Sequence, residues 1–447
     1  MPNPRNLALK VLLKIEQDSA YSNLALGNAI RDAGLGGVDS AFASALVYGV
    51  LERKITLDYI IKQYSKLPLR KIEIKTKLIL RLGILQLLFM DKIPESAAVN
   101  ESVKLAKKHG LQKSAGFING ILRGITRAEV KYTLPDENDK IRYFSVKYSV
   151  TEELASLWID SYGESNAEEL LKSLSGRPKL CARVNTLKTT SDSLISELEA
   201  QGVRAEKIGF VKNAVALFGT GSIENLSAYK RGLFHVQDAS SQLCVQLLDP
   251  KPGDILLDIC SAPGGKAFTA AQKMKNRGKI YSCDLYDHKL KLIKSGAQRL
   301  GITNLITLKR DGAAPSVRLP LADRILCDVP CSGLGILSRK PEIRYKDDLI
   351  SYSLPDLQYK ILCESSKSLA AGGRLVYSTC TLNPAENNEN ALKFLEEHPD
   401  FEGVPLKLPN GVERAVDEQE YEITLTPHKA NTDGFYIAVF QRRRRSD

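Results

Sequence analysis

The sequence predicts a multidomain protein with an all-α N-terminal bundle, a small α+β linker module and a C-terminal α/β domain built on a parallel, doubly wound sheet. Three patterns predict this division. Apolar residues recur at helical spacing up to about residue 130, short strands and a helix follow up to residue 235, and strands alternate with helices from residue 236 onward. A chain of 447 residues is long enough for several separate cores.

The N-terminal part, residues 1–130, is predicted to form five or more helices joined by short turns. Apolar side chains recur three and four residues apart in Leu7–Ile15 and in Ala41–Val47. Asp39 and Ser40 are predicted to cap one of these helices. Glycine and proline mark the breaks between helices at Gly34–Gly37, Leu67–Pro68 and Ile93–Pro94.

The net charge of +11 is concentrated in this N-terminal part. Residues 1–130 contain 20 Lys+Arg against 11 Asp+Glu, and residues 131–447 contain 43 against 41. A local excess of positive charge suits a surface that contacts a polyanion such as nucleic acid. The same excess suits a solvated, lysine-rich helical surface equally well, so charge alone does not distinguish a nucleic-acid contact from such a surface.

The composition favours a soluble cytoplasmic protein. The longest apolar run, Ile79–Met90, is interrupted by Arg81 and is too short for a membrane span. The first five residues lack the apolar core of a secretory signal. None of the eight cysteines forms a C-x-x-C pair, and only five histidines accompany them. We therefore expect neither a zinc site nor a disulfide framework.

The middle and C-terminal parts carry the predicted strands. Between residues 131 and 235 we expect strands at Leu180–Val184 and Ala214–Leu217 and a helix at Ser191–Gln201. From residue 236 onward the predicted strands are Ile255–Ile259, Lys279–Cys283, Ile306–Leu308, Arg324–Cys327 and Arg374–Tyr377. The predicted helices between them are Ala267–Lys275, Asp287–Leu300 and Pro355–Ala370. Ligands of such sheets bind at the C-terminal strand ends.

Candidate ligand-binding residues follow the first three strands of this sheet. The glycines of Leu257–Lys266 let a ligand approach the backbone at the start of a helix, although a plain tight turn would also use them. Asp284 ends the second strand, where an acidic side chain accepts hydrogen bonds from ribose hydroxyls. Asp311 follows the third strand, in a turn or near an adenine amino group. The pattern favours an adenosyl ligand without phosphates.

Two cysteines follow the fourth and fifth strands: Cys331, three residues after Asp328, and Cys380. Most cysteines are small buried apolar residues, but two at adjacent strand ends indicate chemistry. A thiolate that adds to carbon 6 of cytosine enables carbon 5 to attack an electrophilic methyl group. Asp328 is the candidate partner of cytosine N3, and Cys331 or a water molecule could take the carbon 5 proton. The spacing does not tell which cysteine attacks.

These motifs resemble those of the S-adenosylmethionine-dependent RNA cytosine-C5 methyltransferases of the RsmB/NOP family (Sun/Fmu group). The residues that carry the resemblance are Asp258–Lys266, Asp328–Gly333 and Ser378–Cys380, extended by Arg183–Lys188 and Val236–Gln242. The N-terminal part is similar to the RNA-binding protein NusB through Ala8–Leu12, Tyr21–Leu26 and Ala97–Val103. Two departures are Ser261, where the family commonly has Ala, and a slightly altered acidic stretch at 383–388.

The resemblance implies a NusB-like RNA-binding domain over 1–130, an RNA-recognition module over 131–235 and a Rossmann-like class I methyltransferase domain over 236–447. It implies that Cys380 is the nucleophile, that Cys331 assists product release, and that the partner is 16S rRNA. It also implies a monomer without metal that uses S-adenosylmethionine. The implied cofactor-binding residues are Cys260, Ser261, Ala262, Pro263, Gly264, Gly265, Lys266, Asp284, Asp311 and Asp328.

Three alternatives remain at this point. A nicotinamide-dependent oxidoreductase would use a similar sheet, but the G-x-G-x-x-G pattern is missing. A non-catalytic RNA-binding regulator would leave the two cysteine motifs without a purpose. The same chemistry on tRNA or on another rRNA site is the third.

The run Arg442–Arg445 is predicted to be a solvated tail, and an RNA contact is the less favoured interpretation.

Overall fold

The computed structural model describes residues 3–18, 20–176, 178–315, 317–346, 350–351, 353–415 and 418–444. The chain forms two compact units. The first comprises residues 1–176 together with 337–349, and the second comprises 177–336 together with 350–447. Within the described ranges, no helix combines the length and the apolar character that a membrane crossing requires.

The first unit is helical, which confirms the predicted all-α bundle. The helices that the structure describes are α1 (Pro4–Asp18), α2 (Ser22–Asp32), α3 (Gly37–Glu52), α4 (Lys54–Tyr64), α5 (Ile74–Leu88), α6 (Glu95–Lys108), α7 (Gln112–Arg127), α8 (Lys140–Tyr148), α9 (Glu152–Tyr162) and α10 (Glu164–Ser173). Close packing depends on Gly49 and Gly83, where an added Cβ would lie 2.8 Å from side-chain carbons of Leu85 and Leu122. The helical spacing of apolar residues therefore does build a core here.

Arg81, which interrupts the apolar run of α5, is buried at the centre of an ion-pair network. Its Nη1 lies 2.7 Å from Glu16 Oε1, and its Nη2 lies 2.7 Å from Asp58 Oδ2. The two carboxylates compensate a charge that would otherwise be costly to bury.

One local prediction for the helical unit, the helix cap at Asp39 and Ser40, was wrong. Asp39 and Ser40 lie inside α3, which begins at Gly37, because the glycines let the chain turn into the helix earlier.

A segment from far along the chain completes the first unit. This segment, the 3-10 helix Pro341–Tyr345, follows the Cys331 motif in sequence. Glu342 accepts hydrogen bonds from the backbone and hydroxyl of Ser22 at 3.1 and 2.8 Å. Arg344 donates to the carbonyls of Glu52 and Leu174 at 3.1 and 2.7 Å. The bundle therefore closes on residues outside 1–130, and the predicted three-domain boundaries stay a prediction.

The second unit begins with a small antiparallel sheet in the order β2-β3-β1-β4. Its elements are β1 (Leu180–Val184), α11 (Ser191–Ala200), β2 (Arg204–Lys207), β3 (Ala214–Phe218), α12 (Ser227–Lys230) and β4 (Phe234–Val236). The two predicted strands and the predicted helix are confirmed to within one residue. This agreement confirms an α+β module, although residues 140–173 of the predicted span 131–235 form the helices α8–α10 of the first unit.

The rest of the second unit is built on a larger sheet of mixed direction. Its elements are α13 (Ala239–Leu248), β5 (Ile255–Asp258), α14 (Gly265–Lys273), β6 (Lys279–Asp284), α15 (Asp287–Leu300), β7 (Leu305–Lys309), β8 (Ala322–Asp328), α16 (Ser353–Ser366), β9 (Leu369–Thr379), α17 (Asn388–Glu397), β10 (Phe401–Gly403), β11 (Glu422–Leu425), α18 (Pro427–Ala430) and β12 (Phe435–Arg442). The strand order is β10-β12-β9-β8-β5-β6-β7, with β11 paired to β12. The pairs β9-β8-β5-β6-β7 are parallel, which confirms the doubly wound sheet.

Three local predictions for this sheet were wrong or incomplete. The helix expected to reach Ala370 ends at Ser366, because Leu369 already pairs with Ala322 of β8. The antiparallel strands β10 to β12 were not predicted. Arg442 belongs to β12 rather than to a solvated tail, and its Nη1 donates to the carbonyl of Leu369 at 2.9 Å. Arg445 lies outside the described residues.

Candidate active site

The C-terminal ends of β5, β8 and β9 lie side by side and bring the predicted site residues to one edge of the sheet. In the parallel register, Asp258 of β5 pairs with Leu326 of β8, and Asp328 of β8 pairs with Ser378 of β9. Each strand is followed by a loop at the same edge, because neighbouring parallel strands end together. This edge is where ligands of doubly wound sheets bind.

The loops after β8 and β9 bring two predicted site cysteines together. Cys331 Sγ lies 3.1 Å from Cys380 Sγ, and both side chains are partly buried. The hydrogen bond with Cys380, together with burial, holds the pKa of the Cys331 thiol well above its ordinary value. Either of the two thiols can donate the hydrogen bond that joins the sulfurs.

An ion pair lies at the same edge of the sheet and joins Lys266, which follows β5, to Asp328 at the end of β8. Lys266 Nζ is 2.7 Å from Asp328 Oδ2, and the hydroxyl of Ser378 donates to Asp328 Oδ1 at 2.9 Å. Burial alone would lower the pKa of Lys266, but the charge of Asp328 raises it above its ordinary value. Lys266 is one of the predicted cofactor-binding residues, and in the structure it forms an ion pair with Asp328.

The loop between β5 and α14 has the form of a ligand cradle. Gly264 has a φ of 105°, and an added Cβ would lie 2.5 Å from the ring of Phe268. Ser261 donates its hydroxyl to Asp258 Oδ2 at 2.8 Å. Burial raises the pKa of Asp258 to about 7. Within the described part of the chain, Asp258 Oδ1 is buried without a hydrogen-bond partner. The unpaired Oδ1 of Asp258 can accept a hydrogen bond from a ligand, and Gly264 keeps the neighbouring backbone free of a side chain. Both features fit an adenosyl ligand with donor groups.

The other predicted cofactor residues occupy the adjacent strand ends. Asp284 is buried at the end of β6, where its Oδ1 accepts from the backbone of Tyr286 at 3.2 Å and lies 3.6 Å from Lys289 Nζ. Asp311 follows β7, is exposed, and accepts from the backbone of Ala313 at 2.8 Å. Asp284 is therefore held beside the cradle strand, whereas Asp311 shapes its own turn. Their contact with a cofactor stays a prediction.

Sequence reasoning missed two residues that hold the cysteine loops together, Glu386 and Gly335. The Glu386 side chain is buried and accepts hydrogen bonds from the residue after Cys331. The backbone of Gly335 donates to the carbonyl of Cys380 at 2.9 Å. The run 383–388 appears in the sequence analysis only as a departure from the family pattern, and Gly335 lies two residues beyond the motif Asp328–Gly333. Nothing in the linear sequence shows that these residues contact the second loop.

We expect Gly335→Ala to destabilise this part of the fold. An added Cβ at Gly335 would lie 1.9 Å from the carbonyl oxygen of Gly434, a backbone atom that cannot rotate away. The backbone segments at Gly335 and Gly434 would have to move apart, and overpacking of this kind costs about 1–3 kcal/mol. Urea unfolding should show this loss. Gly116→Ala is the control, because nothing lies within 4 Å of the added Cβ. Equal stability of both variants would contradict the close approach.

The comparisons with known proteins agree with this architecture. A family model described as 16S rRNA methyltransferase RsmB/F matches residues 245–441. The NusB family model matches 2–127, and a ferredoxin-like domain of RsmF/B-like methyltransferases matches 153–224. The Probable ribosomal RNA small subunit methyltransferase B of Bacillus subtilis (strain 168) is 38% identical over 447 residues, which cover 98% of each chain.

Solved structures agree as well. The crystal structure of PH0851 is similar with a TM-score of 0.83 at 25% identity, covering 99% of each chain. A methyltransferase homolog protein from Pyrococcus horikoshii is similar with a TM-score of 0.60 at 30% identity, covering 68% of this chain and 99% of its own. The predicted family and cofactor are confirmed, and the oxidoreductase alternative is not supported. The chain therefore belongs to the RsmB/F family of S-adenosylmethionine-dependent rRNA methyltransferases.

Proposed function

We propose that this protein methylates carbon 5 of a cytosine in 16S rRNA through a covalent bond between Cys380 and carbon 6 of that base. The observation that carries the proposal is the 3.1 Å separation of the Cys331 and Cys380 sulfurs at the ends of adjacent strands. The name of the Bacillus subtilis relative supports small-subunit rRNA as the substrate. The excess of positive charge before residue 131 supports an RNA contact by the helical residues.

Carbon 5 of cytosine is a weak nucleophile, so the proposed reaction begins by activating the ring. The thiolate of Cys380 forms a bond to carbon 6, and the π electrons of the carbon 5–carbon 6 bond become available at carbon 5. When bound, S-adenosylmethionine would supply the electrophilic methyl group to carbon 5 and would leave as S-adenosylhomocysteine. A base then removes the carbon 5 proton, the sulfur–carbon 6 bond breaks, and Cys380 leaves as a thiolate.

The neighbouring side chains have separate roles in this proposal. Asp328 accepts a hydrogen bond from protonated cytosine N3, which makes carbon 6 more electrophilic. Lys266 stays cationic and holds Asp328 in place through the ion pair. Cys331 assists release, since it is within reach of the sulfur that must leave. Residues 260–266, Asp284 and Asp311 hold the cofactor, and the free Oδ1 of Asp258 offers it an acceptor.

The Cys331→Ala variant tests this function directly. With S-adenosylmethionine and 16S rRNA from cells that lack the protein, we expect a protein–RNA adduct that survives denaturing electrophoresis, because release is impaired after Cys380 has added. The wild-type protein should release its product and show little adduct. Bisulfite sequencing of the same rRNA should then find a protected cytosine at one position.

Three outcomes of this experiment would contradict the proposal. An adduct formed by Cys380→Ala and not by Cys331→Ala would reverse the two roles. Methylation without any adduct in either variant would argue against the covalent route. In a parallel reaction with total RNA from the same cells, protected cytosines in tRNA or 23S rRNA, with 16S rRNA unmodified, would support the alternative substrates.

A further inference from the structure

Glu386 is a buried carboxylate, 1% exposed, that accepts hydrogen bonds from several donors at once. Its Oε2 accepts from the backbone of Ser332 at 2.9 Å and from Gln358 Nε2 at 2.8 Å. Its Oε1 accepts from the Ser332 hydroxyl at 2.5 Å and from Asn383 Nδ2 at 3.1 Å, with Thr381 Oγ1 at 3.5 Å. A carboxylate with this many partners is held in one orientation.

The donors of Glu386 include residues from both loops that carry sulfurs. Ser332 directly follows Cys331, and Thr381 directly follows Cys380. The hydroxyls of Ser332 and Thr381 also lie 2.6 Å apart. The two loops therefore meet at this carboxylate, one residue away from each sulfur.

The backbone around Glu386 is itself fixed to the end of β9. The hydroxyl of Tyr377 donates to the carbonyl of Glu386 at 2.5 Å. Asn387 accepts from the hydroxyl of Thr379 at 2.6 Å and donates to the carbonyl of Thr381 at 3.0 Å. The carboxylate is thus anchored to the strand that leads to Cys380 and reaches across to the loop of Cys331.

We propose that Glu386 is a positioning residue that holds the Cys331 and Cys380 sulfurs at their working separation. The inference rests on the proposed function for its role in catalysis, but the separation of the sulfurs can be measured without RNA. A small displacement of a reacting group lowers the rate strongly, by about 10²-fold for 1 Å. A residue that touches neither the base nor the cofactor can therefore control the turnover number.

The Glu386→Gln variant keeps the shape of the side chain and changes one oxygen to an amino group. On the Oε2 side, this group would face the Ser332 N–H and the Gln358 amide, which are both donors. On the Oε1 side it would face the donating Asn383 amide. Either orientation places donor against donor, which weakens the link between the two loops.

Disulfide closure between the two cysteines reports their separation. Diamide removes the two S–H hydrogens as two protons and two electrons, which reduce its N=N bond to a hydrazine while the S–S bond forms. For Glu386→Gln we expect closure, followed by mass spectrometry, to be roughly 10-fold slower than in the wild-type protein. We expect kcat for methylation to fall roughly 10–100-fold, with KM for S-adenosylmethionine within about twofold.

Glu389→Gln is the matched control, because Glu389 is exposed, lies three residues further on and undergoes the same change of charge. It should behave like the wild-type protein. Ser332→Ala removes only the hydroxyl contact and should show a smaller effect in the same direction. Wild-type closure and kcat in Glu386→Gln would overturn the inference, and so would wild-type closure in Ser332→Ala if Glu386→Gln failed to fold. Slow closure in Glu386→Gln, together with no RNA adduct formed by Cys331→Ala in the separate RNA experiment, would sustain the positioning role and contradict the proposed function.

Discussion

Cys380→Ala is expected to abolish methyl transfer, with kcat falling by about 10³-fold or more. Without the thiolate, nothing adds to carbon 6, and carbon 5 keeps the low reactivity of a free cytosine ring. A 10³-fold loss corresponds to about 4 kcal/mol of transition-state stabilisation. The measurement is single-turnover transfer of a labelled methyl group from S-adenosylmethionine to 16S rRNA.

Cys363→Ala is the control for this loss. Cys363 is a partly buried thiol on α16, so the variant removes a cysteine away from the two strand ends. We expect its activity to stay within about twofold of the wild-type value, because surface and partly buried substitutions of this size change little. Activity of Cys380→Ala above one tenth of wild type would mean that another group attacks the base.

Asp328→Asn should lower both stability and activity by large amounts. The change keeps the shape of the side chain but leaves the charge of Lys266, whose side chain is 11% exposed, without its partner. Breaking a buried ion pair costs about 3–5 kcal/mol, and the 28% exposure of Asp328 puts the expected loss near the lower end, about 3 kcal/mol. Loss of the contact to cytosine N3 should lower the rate by about 10²–10⁴-fold. Urea unfolding and single-turnover kinetics measure the two effects.

The pH dependence of stability distinguishes this ion pair from a surface pair. In the wild-type protein the pKa of Lys266 is raised, so its contribution is complete below about pH 10 and is lost as the pH rises through the folded-state pKa. In Asp328→Asn, burial is left to lower that pKa, so the free energy of unfolding should instead increase with pH. Asp287→Asn, which breaks an exposed pair with Lys309, should leave the free energy of unfolding nearly unchanged. Equal losses in both variants would argue against a special ion pair.

Local sequence patterns predicted the sheet edge and the residues that lie directly after its strands. Asp328 and Cys380 could be placed because a strand of apolar residues leads straight to each of them. The first and last residues of the strand Leu180–Val184 were also predicted correctly, because a run of mostly apolar residues marks this strand in the sequence. These features depend on residues close in sequence, so a single sequence contains the necessary information.

The features that could not be predicted depend on contacts between distant residues. Glu386 matters because Ser332, 54 positions earlier, donates to it. Gly335 matters because the backbone of Gly434 passes against it. The sequence predicts that the helix α16 continues to Ala370, but it ends at Ser366. The reason is that Leu369 pairs with Ala322 in the sheet. In each case tertiary packing overrides or supplements the local preference.

The late segment Pro341–Tyr345 also has a consequence for how the protein is made. When the ribosome has finished α10, the carbonyls of Glu52 and Leu174 still lack the guanidinium of Arg344. At roughly 5–20 residues per second, about 10–30 s pass before that side chain emerges. A premature stop after the last helix of the bundle would therefore yield an unfinished structure with open hydrogen-bonding groups. The helical unit therefore completes its hydrogen bonds only after the ribosome has translated Pro341–Tyr345, together with most of the residues that precede it in the second unit.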